Sequence, residues 1–250
     1  MTLPDVILLV AAGLVGGAIN SLAGGGSLIV FPAFVAIGYP TLAANVTNSV
    51  AQWPSYLGGV IGFREQLAGQ RARAIRLTMV GMAGAVAGCL VLLSLPSESF
   101  DLVVPFLVLA ASLLLAVQPR LARLIGAPQA GRRERWATYP VLFASGAYGG
   151  YFGGALGVIL ISVLALIVQD TLRRINALKT VLSTTIGAVT IVLFGLLGPV
   201  HWGGVATVAP ATLVGGLLGA RLARRLDERV LRVCVVVFGV GVSIYLFLRN

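Results

Sequence analysis

Charged side chains are scarce in this sequence of 250 residues. Only 10% of the residues are Asp, Glu, Lys or Arg, whereas 58% are hydrophobic and the mean hydropathy is +0.99. A soluble domain has about a quarter charged residues, so this chain has too few to cover a water-facing surface of its size. Disorder is excluded as well, because disordered chains have low hydrophobicity. The remaining class is an integral membrane protein built of helices.

The groups that catalysis and metal binding require are also scarce. His201 is the only histidine, and Cys89 and Cys234 lie in apolar runs without a CxxC partner, so no Cys/His metal site and no other cofactor is predicted. All eight acids lie in loops or at segment ends. A hydrolytic triad, a zinc hydrolase and a buried carboxylate relay cannot be assembled at mid-depth from this set. The sequence therefore predicts a protein that is not an enzyme.

The formal net charge of +10 follows from the placement of the basic residues. The 18 Lys and Arg residues lie almost wholly in loops and at segment ends, as cytoplasmic anchors of membrane proteins do. The sequence therefore predicts membrane lipid as a partner and no nucleic acid.

Apolar segments alternate with short polar stretches along the whole chain. A spanning helix needs about 20 apolar residues, and most segments reach that length. Two segments, 27–38 and 157–168, have about 12 residues each, which favours re-entrant or broken helices. The full set is 5–22, 27–38, 42–62, 74–95, 100–118, 138–153, 157–168, 175–197, 203–221 and 230–248.

The order of long and short segments occurs twice, which indicates an internal repeat. An offset of 133 places Gly24 on Gly157, and an offset of 131 places Gly84 on Gly215. The sequence therefore predicts one membrane domain. It consists of repeat one at 1–119, a cytoplasmic linker at 120–136 and repeat two at 137–250.

Charge placement predicts the orientation of each half. Basic clusters occupy Arg64–Arg76, Arg120–Arg135, Arg173–Lys179 and Arg221–Arg232, whereas the loops 38–41, 95–101 and 198–203 contain no Lys or Arg. The positive-inside rule makes the first group cytoplasmic. Corresponding loops of the two halves have opposite bias, so the halves are predicted to insert upside down relative to each other.

An inverted repeat requires an odd number of crossings in each half. A re-entrant or broken helix hairpin plus three transmembrane helices satisfies this condition and puts both termini outside the cytoplasm; five full crossings satisfy it too. The predicted fold is therefore an all-α polytopic membrane protein with two inverted-topology repeats, and we favour hairpins whose tips meet near the membrane centre. Inverted repeats with interrupted helices are a common plan of secondary transporters.

Glycine-rich breaks separate the two segments of each predicted hairpin. Non-helical backbone in a membrane is tolerated only inside protein or facing water. The helices beginning near Ser27 and Val158 would point free N–H groups into the breaks, and helix N-termini favour anions. Glycines that only allow close helix packing are the alternative. The candidate binding residues of the breaks are Gly24, Gly25, Gly26, Ser27, Tyr151, Gly153 and Gly154.

Polar side chains inside the apolar segments complete the candidate site. Unpaired amides and hydroxyls are costly in lipid, so these side chains should face inward, although a single hydroxyl can bond to its own preceding turn. Lys179, the only lysine, either extends to the cytoplasmic surface or attracts and gates an anion. The other candidates are Asn20, Ser21, Thr47, Asn48, Gln52, Thr180 and Thr184.

Two motifs resemble the sulfite exporter TauE/SafE family. The first is Gly16-Gly-Ala-Ile-Asn-Ser-Leu-Ala-Gly-Gly-Gly-Ser-Leu-Ile-Val-Phe-Pro32, followed by Ala43-Ala-Asn-Val-Thr47. The second is the fainter Ser145-Gly-Ala-Tyr-Gly-Gly-Tyr-Phe-Gly-Gly154, followed by Asn176-Ala-Leu-Lys179. The resemblance implies transport of small sulfur-containing or organic anions. The second half departs from the family pattern, because Ala155-Leu-Gly157 stands where a glycine triplet is expected, which favours a ligand held mainly by the first half.

These observations together predict a secondary transporter of the cell inner membrane. Its substrate would be a small anion, such as sulfite, sulfoacetate or another sulfonate, moved by alternating access around a site at the membrane midplane. An anion channel and a non-transporting membrane subunit that anchors a partner are the alternatives. Whether the protein forms a homo-oligomer is left open.

Overall fold

The regular structure of the chain is helical throughout the part that is described. A computed structural model describes residues 1–22, 24–62, 64–125, 138–168, 170–222 and 228–249. A short 3-10 helix, Arg64–Leu67, precedes α4. The α-helices are α1 Leu3–Leu22, α2 Ser27–Ala36, α3 Thr41–Gly62, α4 Arg71–Ser94, α5 Ser97–Ile125, α6 Thr138–Tyr151, α7 Leu156–Ile167, α8 Leu172–Leu197, α9 Trp202–Leu222 and α10 Glu228–Arg249.

Each predicted apolar segment corresponds to one of these helices, which confirms the all-α prediction. Within the described ranges, α1, α4, α5, α8 and α9 are long and apolar enough to cross a membrane, and shorter apolar helices accompany them. The largest difference is at α5, which continues to Ile125 instead of ending near residue 118. The added residues begin with Pro119, which disfavours a helix interior, and continue with Arg, Leu and Ala, which favour the helix. The rest of the predicted linker, 126–136, lies outside the described residues.

Helices α1 and α2 form a hairpin whose two ends lie together. The Tyr39 hydroxyl, just after α2, donates to the Met1 sulfur ahead of α1 at 3.6 Å. Eight of the ten residues of α2 are buried, so the returning helix runs through the protein interior. Pro32 lies within α2. The hairpin therefore enters and leaves the helical bundle at one end.

Helices α6 and α7 form a second hairpin, which enters from the opposite end. Helix α6 runs along α4 in the same direction, because Gly84 touches Phe143 and Gly88 touches Ala147 one turn further on. Asp170, after α7, forms an ion pair of 3.3 Å with Arg73 near the start of α4. Both ends of this hairpin therefore lie where α4 begins.

The tips of the two hairpins meet in the interior. A Cβ atom on Gly24 would lie 2.7 Å from the Gly157 Cα, so only glycine permits this approach. Gly24 and Gly153 have the same backbone conformation at the ends of α1 and α6: their φ angles are +78° and +74°, and their N–H groups bond to the carbonyls of Ile19 and Tyr148, five residues earlier.

The first hairpin packs on a late helix and the second hairpin on an early one. Helix α1 lies along α9, where a Cβ on Gly215 would overlap the Leu14 carbonyl. Helix α6 lies along α4, where a Cβ on Gly84 would overlap the Phe143 carbonyl. The two interfaces thus have matching contacts, each with a glycine against a backbone carbonyl of the hairpin helix.

The described basic loops and the loops without Lys or Arg lie at opposite ends of the bundle. At one end, Asp170 pairs with Arg73 and with Arg174, each at 3.3 Å, which joins two basic loops. At the other end, the rings of Tyr39 and His201 lie 4.2 Å apart, which joins two loops without Lys or Arg. The basic segment 223–227 lies outside the described residues.

Candidate functional site

A small cavity lies between the hairpin tips and the facing helices α3 and α8. Its volume is about 20 Å³, above the roughly 10–15 Å³ that one water molecule needs. Four lining residues come from the first half and seven from the second, so both halves build the site. The lining residues are Ser27, Ser49, Gln52, Tyr56, Gly149, Gly153, Leu156, Ser183, Ile186, Gly187 and Thr190.

Gln52 has a buried side-chain amide without a hydrogen-bond partner in the part of the chain that is described. Its side chain is 1% exposed, and neither its Nε2 nor its Oε1 has a hydrogen-bond partner among the described residues. The hydroxyl of Ser183, also 1% exposed, is unpartnered in the same way. A buried polar atom without a partner costs about 1–3 kcal/mol. Both residues line the cavity, so an occupant that reaches these polar atoms would offset this cost.

Two other lining residues, Ser49 and Thr190, donate their hydroxyl protons to backbone carbonyls. Ser49 donates to the Asn45 carbonyl at 2.9 Å, and Thr190 donates to the Gly187 carbonyl at 2.8 Å. These are bonds to the preceding turn of the same helix. Toward the cavity, each hydroxyl can therefore only accept.

The N-termini of α2 and α7 both reach the cavity. Ser27, the first residue of α2, and Leu156, the first residue of α7, are lining residues. The first backbone bond within the α2 turn comes from Leu28, and none among the described residues comes from the N–H of Ser27. Helix N-termini carry partial positive charge, so the two ends together favour an anion.

The left-handed Ala155 caps α7. Its φ is +54°, an unusual value for a residue with a side chain, and it stands where the family resemblance leads to a glycine. The Tyr148 hydroxyl donates to the Gly154 carbonyl at 2.6 Å and so holds this loop in place. The missing glycine triplet therefore does not remove the second helix N-terminus from the site.

Three predicted site residues line the cavity: Ser27, Gln52 and Gly153. Three others lie against neighbouring backbone or side chains instead of the cavity. Gly24 contacts Gly157, Gly25 faces the Leu115 side chain, and Gly26 faces the Gly16 carbonyl.

Several predicted polar residues have structural partners. The Asn20 amide donates to the Ser55 hydroxyl at 2.7 Å, and the Ser21 hydroxyl donates to the Gly216 carbonyl at 3.0 Å. Thr47 accepts from the backbone N–H of His201 at 3.0 Å. These contacts join α1 to α3, α1 to α9, and α3 to the loop before α9.

The remaining candidates lie around the cavity without lining it. Thr180 and Thr184 donate to carbonyls one turn earlier, and the Tyr151 carbonyl accepts from Asn45 at 3.0 Å. Gly154 faces the Phe152 ring. Asn48 is buried, and its Oδ1 has no partner among the described residues.

Lys179 is buried one helical turn from Ser183. It is 7% exposed, and no described residue forms an ion pair or a hydrogen bond with it. Its role in attracting or gating an anion stays a prediction.

The sequence missed most of the lining on α8. Ser183, Ile186, Gly187 and Thr190 follow helical spacing and form one stripe facing α3. The same spacing on α3 adds Ser49 and Tyr56 to Gln52. Helical periodicity through Gln52 identifies these α3 residues from the sequence, whereas the α8 stripe has no amide or charge to mark it.

These features define a class of protein: a multi-pass helical membrane protein with a buried polar cavity between two broken-helix hairpins. The chain belongs to the sulfite exporter TauE/SafE family, whose model matches residues 9–246. This result confirms the resemblance found in the sequence. The family is one of transporters and not of enzymes, as the shortage of catalytic groups predicted.

Distant relatives cover nearly the whole chain. A Haemophilus influenzae protein named "Probable membrane transporter protein" is 26% identical, over 92% of this chain and 89% of its own length. "Probable membrane transporter protein YfcA" of Escherichia coli K12 is 25% identical, over 92% of this chain and 85% of its own length. A Sinorhizobium protein named "Probable membrane transporter protein ORF9" is 26% identical, over 95% of this chain and 90% of its own length.

Proposed function

We propose that the protein is a secondary transporter for a small anion, whose binding site forms when the cavity, which at about 20 Å³ has room for about one water molecule, widens. The substrate would be a sulfur oxyanion or an organosulfonate, such as sulfite or sulfoacetate. The single observation that carries the proposal is the buried Gln52 amide, which lines the cavity with both polar atoms unpartnered. A transporter needs such a site, because its ligand must supply bonds that the protein leaves open.

Three features favour an anion over a cation. No lining residue is a carboxylate, so nothing in the cavity would balance a positive charge. Ser27 and Leu156, the first residues of α2 and α7, line the cavity, and helix N-termini stabilise negative charge. Lys179 lies one turn from Ser183 on α8, on the side where α8 begins, so it would attract the anion from that end.

Alternating access would come from two inverted repeats that rock against each other. The matching contacts of α1 with α9 and of α6 with α4 support this arrangement. So do the two hairpins, which enter from opposite ends and meet at Gly24 and Gly157. Rocking about that contact would open the cavity to one end and then to the other.

The protein would lie in the cell inner membrane. The end that carries Arg73 and Arg174 would face the cytoplasm. The positive-inside rule gives this assignment. Met1 lies at the opposite end, beside Tyr39, and α10 returns there, because Phe247 packs on Phe106 near the start of α5 at 4.8 Å. Both termini would therefore be extracytoplasmic.

Thermal unfolding of the purified protein in detergent tests the proposal. The anions are sulfite, sulfoacetate, isethionate, thiosulfate and sulfate, with chloride and acetate as references. A ligand at 100 times its dissociation constant should stabilise the protein by about 2.7 kcal/mol. Gln52→Met should weaken binding about tenfold to hundredfold, because a hydrogen bond to a charged group is worth about 1.5–3 kcal/mol.

The matched control is Gln66→Met, which removes an amide outside the cavity and should leave affinity unchanged. Equal stabilisation of both variants by a bound anion would contradict the site. Stabilisation by none of the anions would contradict the anion proposal. Flux far above about a thousand ions per second would indicate a channel, since enzyme-like turnover seldom exceeds that rate.

A further inference from the structure

We infer that the cavity selects anions that carry a hydrogen-bond donor of their own, and that Gln52 is the residue that detects the donor. The inference rests on the proposed function and narrows its substrate class. Suitable ligands are hydrogen sulfite and sulfonates with a hydroxyl or amino group. A fully deprotonated oxyanion, a sulfonate with an unsubstituted alkyl tail, and ionised sulfoacetate, whose carboxylate can only accept, would be disfavoured; among the substrates proposed above, the inference therefore favours hydrogen sulfite over sulfoacetate.

Acceptor groups in the lining carry the argument. Gln52 Oε1 has no donor among the described residues. The hydroxyls of Ser49 and Thr190 have given their protons to backbone carbonyls, so toward the cavity they offer only lone pairs. A ligand that can only accept would leave all three groups unpaired and would place its own negative oxygens near theirs.

Donor groups line the same cavity and suit the charged part of the ligand. Gln52 Nε2 and the Ser183 hydroxyl are unpartnered donors, and Ser27 begins α2 with a hydroxyl and a backbone N–H. An anion that also has an O–H or N–H group can therefore satisfy both sets at once. Because both atoms of the Gln52 amide lack partners, the argument holds for either orientation of that amide.

The energetic consequence is a strong preference. A site with buried polar groups rejects an analogue that lacks the matching group, because those groups are then left unpaired. One unpaired buried acceptor corresponds to about 1–3 kcal/mol, or roughly tenfold to a hundredfold in affinity. Discrimination should therefore depend on the donor of the ligand more than on its sulfur atom.

The test compares two matched pairs of anions by calorimetric titration of the full chain in detergent. Isethionate and ethanesulfonate differ by one hydroxyl, and bicarbonate and nitrate are planar oxyanions with and without a proton. The donor-bearing member of each pair should bind at least tenfold more tightly. Gln52→Met should reduce the ratio for each pair the most, and Thr190→Val should reduce it by a smaller factor, because the other acceptors remain in each variant.

The control Gln66→Met should retain the full ratio. Equal affinity within both pairs would overturn the inference while leaving an anion site in place, and binding of no anion would overturn the proposed function as well. A Gln52→Met protein with altered thermal stability but an unchanged ratio would show that Gln52 only holds a water molecule. The ratios of the unaltered protein decide the matter if a variant fails to fold.

Discussion

At the scale of single residues, the site combines groups that have partners with groups that lack them. Asn20, Ser21 and Thr47 have protein partners, whereas Gln52 and Lys179 have none among the described residues. The sequence could identify Gln52, because an amide is costly in an apolar helix. It could not separate Ser183 from the self-bonded hydroxyls, because serine can bond to its own helix and only the folded structure shows that Ser183 does not.

Lys179 provides a prediction at this scale. Lys179→Met should raise the unfolding temperature of the ligand-free protein, because it removes a buried charge without a partner among the described residues. The same change should lower anion affinity about tenfold or more, which corresponds to roughly 1.4 kcal/mol. Thermal unfolding with and without the best anion measures both effects.

The control for Lys179 is Arg173→Met, an exposed cation at the same end of α8. It should leave both the unfolding temperature and the affinity close to those of the unaltered protein. Destabilisation by Lys179→Met, with affinity retained, would instead indicate a structural role for the ammonium group.

At the scale of elements, the pattern of apolar segments was sufficient to predict the helices, and charge placement agreed with their ends. The backbone conformation of the breaks could not be predicted in the same way: residue identity matched Gly24 to Gly157, whereas the positive φ is shared by Gly24 and Gly153. Glycine recurs too often in these segments to fix a register by identity. The left-handed backbone at the end of α1 and of α6 marks these two positions, and a sequence does not display that conformation.

The interface between α4 and α6 gives the prediction for this scale. In Gly84→Ala, the new methyl group would overlap the Phe143 carbonyl, so the two helices must move apart. A forced increase in core volume costs about 1–3 kcal/mol. The unfolding temperature and the yield of folded protein in detergent should both fall.

Gly241→Ala is the matched control on α10, where the added Cβ would meet no atom within 4 Å. It should be neutral or slightly stabilising, because alanine favours a helix by about 1 kcal/mol over glycine. Similar losses in the two variants would mean that the close approach of α4 and α6 is not what makes Gly84 necessary.

At the scale of the whole molecule, the distribution of arginine divides the bundle into two ends. Loops that the sequence assigned to opposite sides of the membrane lie at opposite ends, joined there by Asp170 and by the Tyr39–His201 contact. The sequence predicted which loops share an end because charge bias is a property of each loop alone. The cavity could not be predicted in this way, because it forms from contacts between helices that are distant in the sequence.

Labelling of single cysteines tests the orientation of the molecule. The background is Cys234→Ala, since Cys234 is exposed and Cys89 is buried. Ser97→Cys, at the end where the loops 38–41 and 198–203 contain no Lys or Arg, should react with a membrane-impermeant maleimide in intact cells. Ala68→Cys, at the end with Arg73, should react only after the membrane is opened. The reverse pattern would overturn the assigned orientation.

The packing of α1 on α9 has a consequence for biosynthesis. Leu14 and its partner Gly215 are separated by 201 residues (215 − 14), which a ribosome translating about 5–20 residues per second covers in roughly 10–40 s. Helix α6, by contrast, is synthesised after its partner α4, so it can pack on α4 as soon as it is inserted. The small-residue face of α1 therefore stays uncovered until α9, in the last quarter of the polypeptide, is translated and inserted beside it.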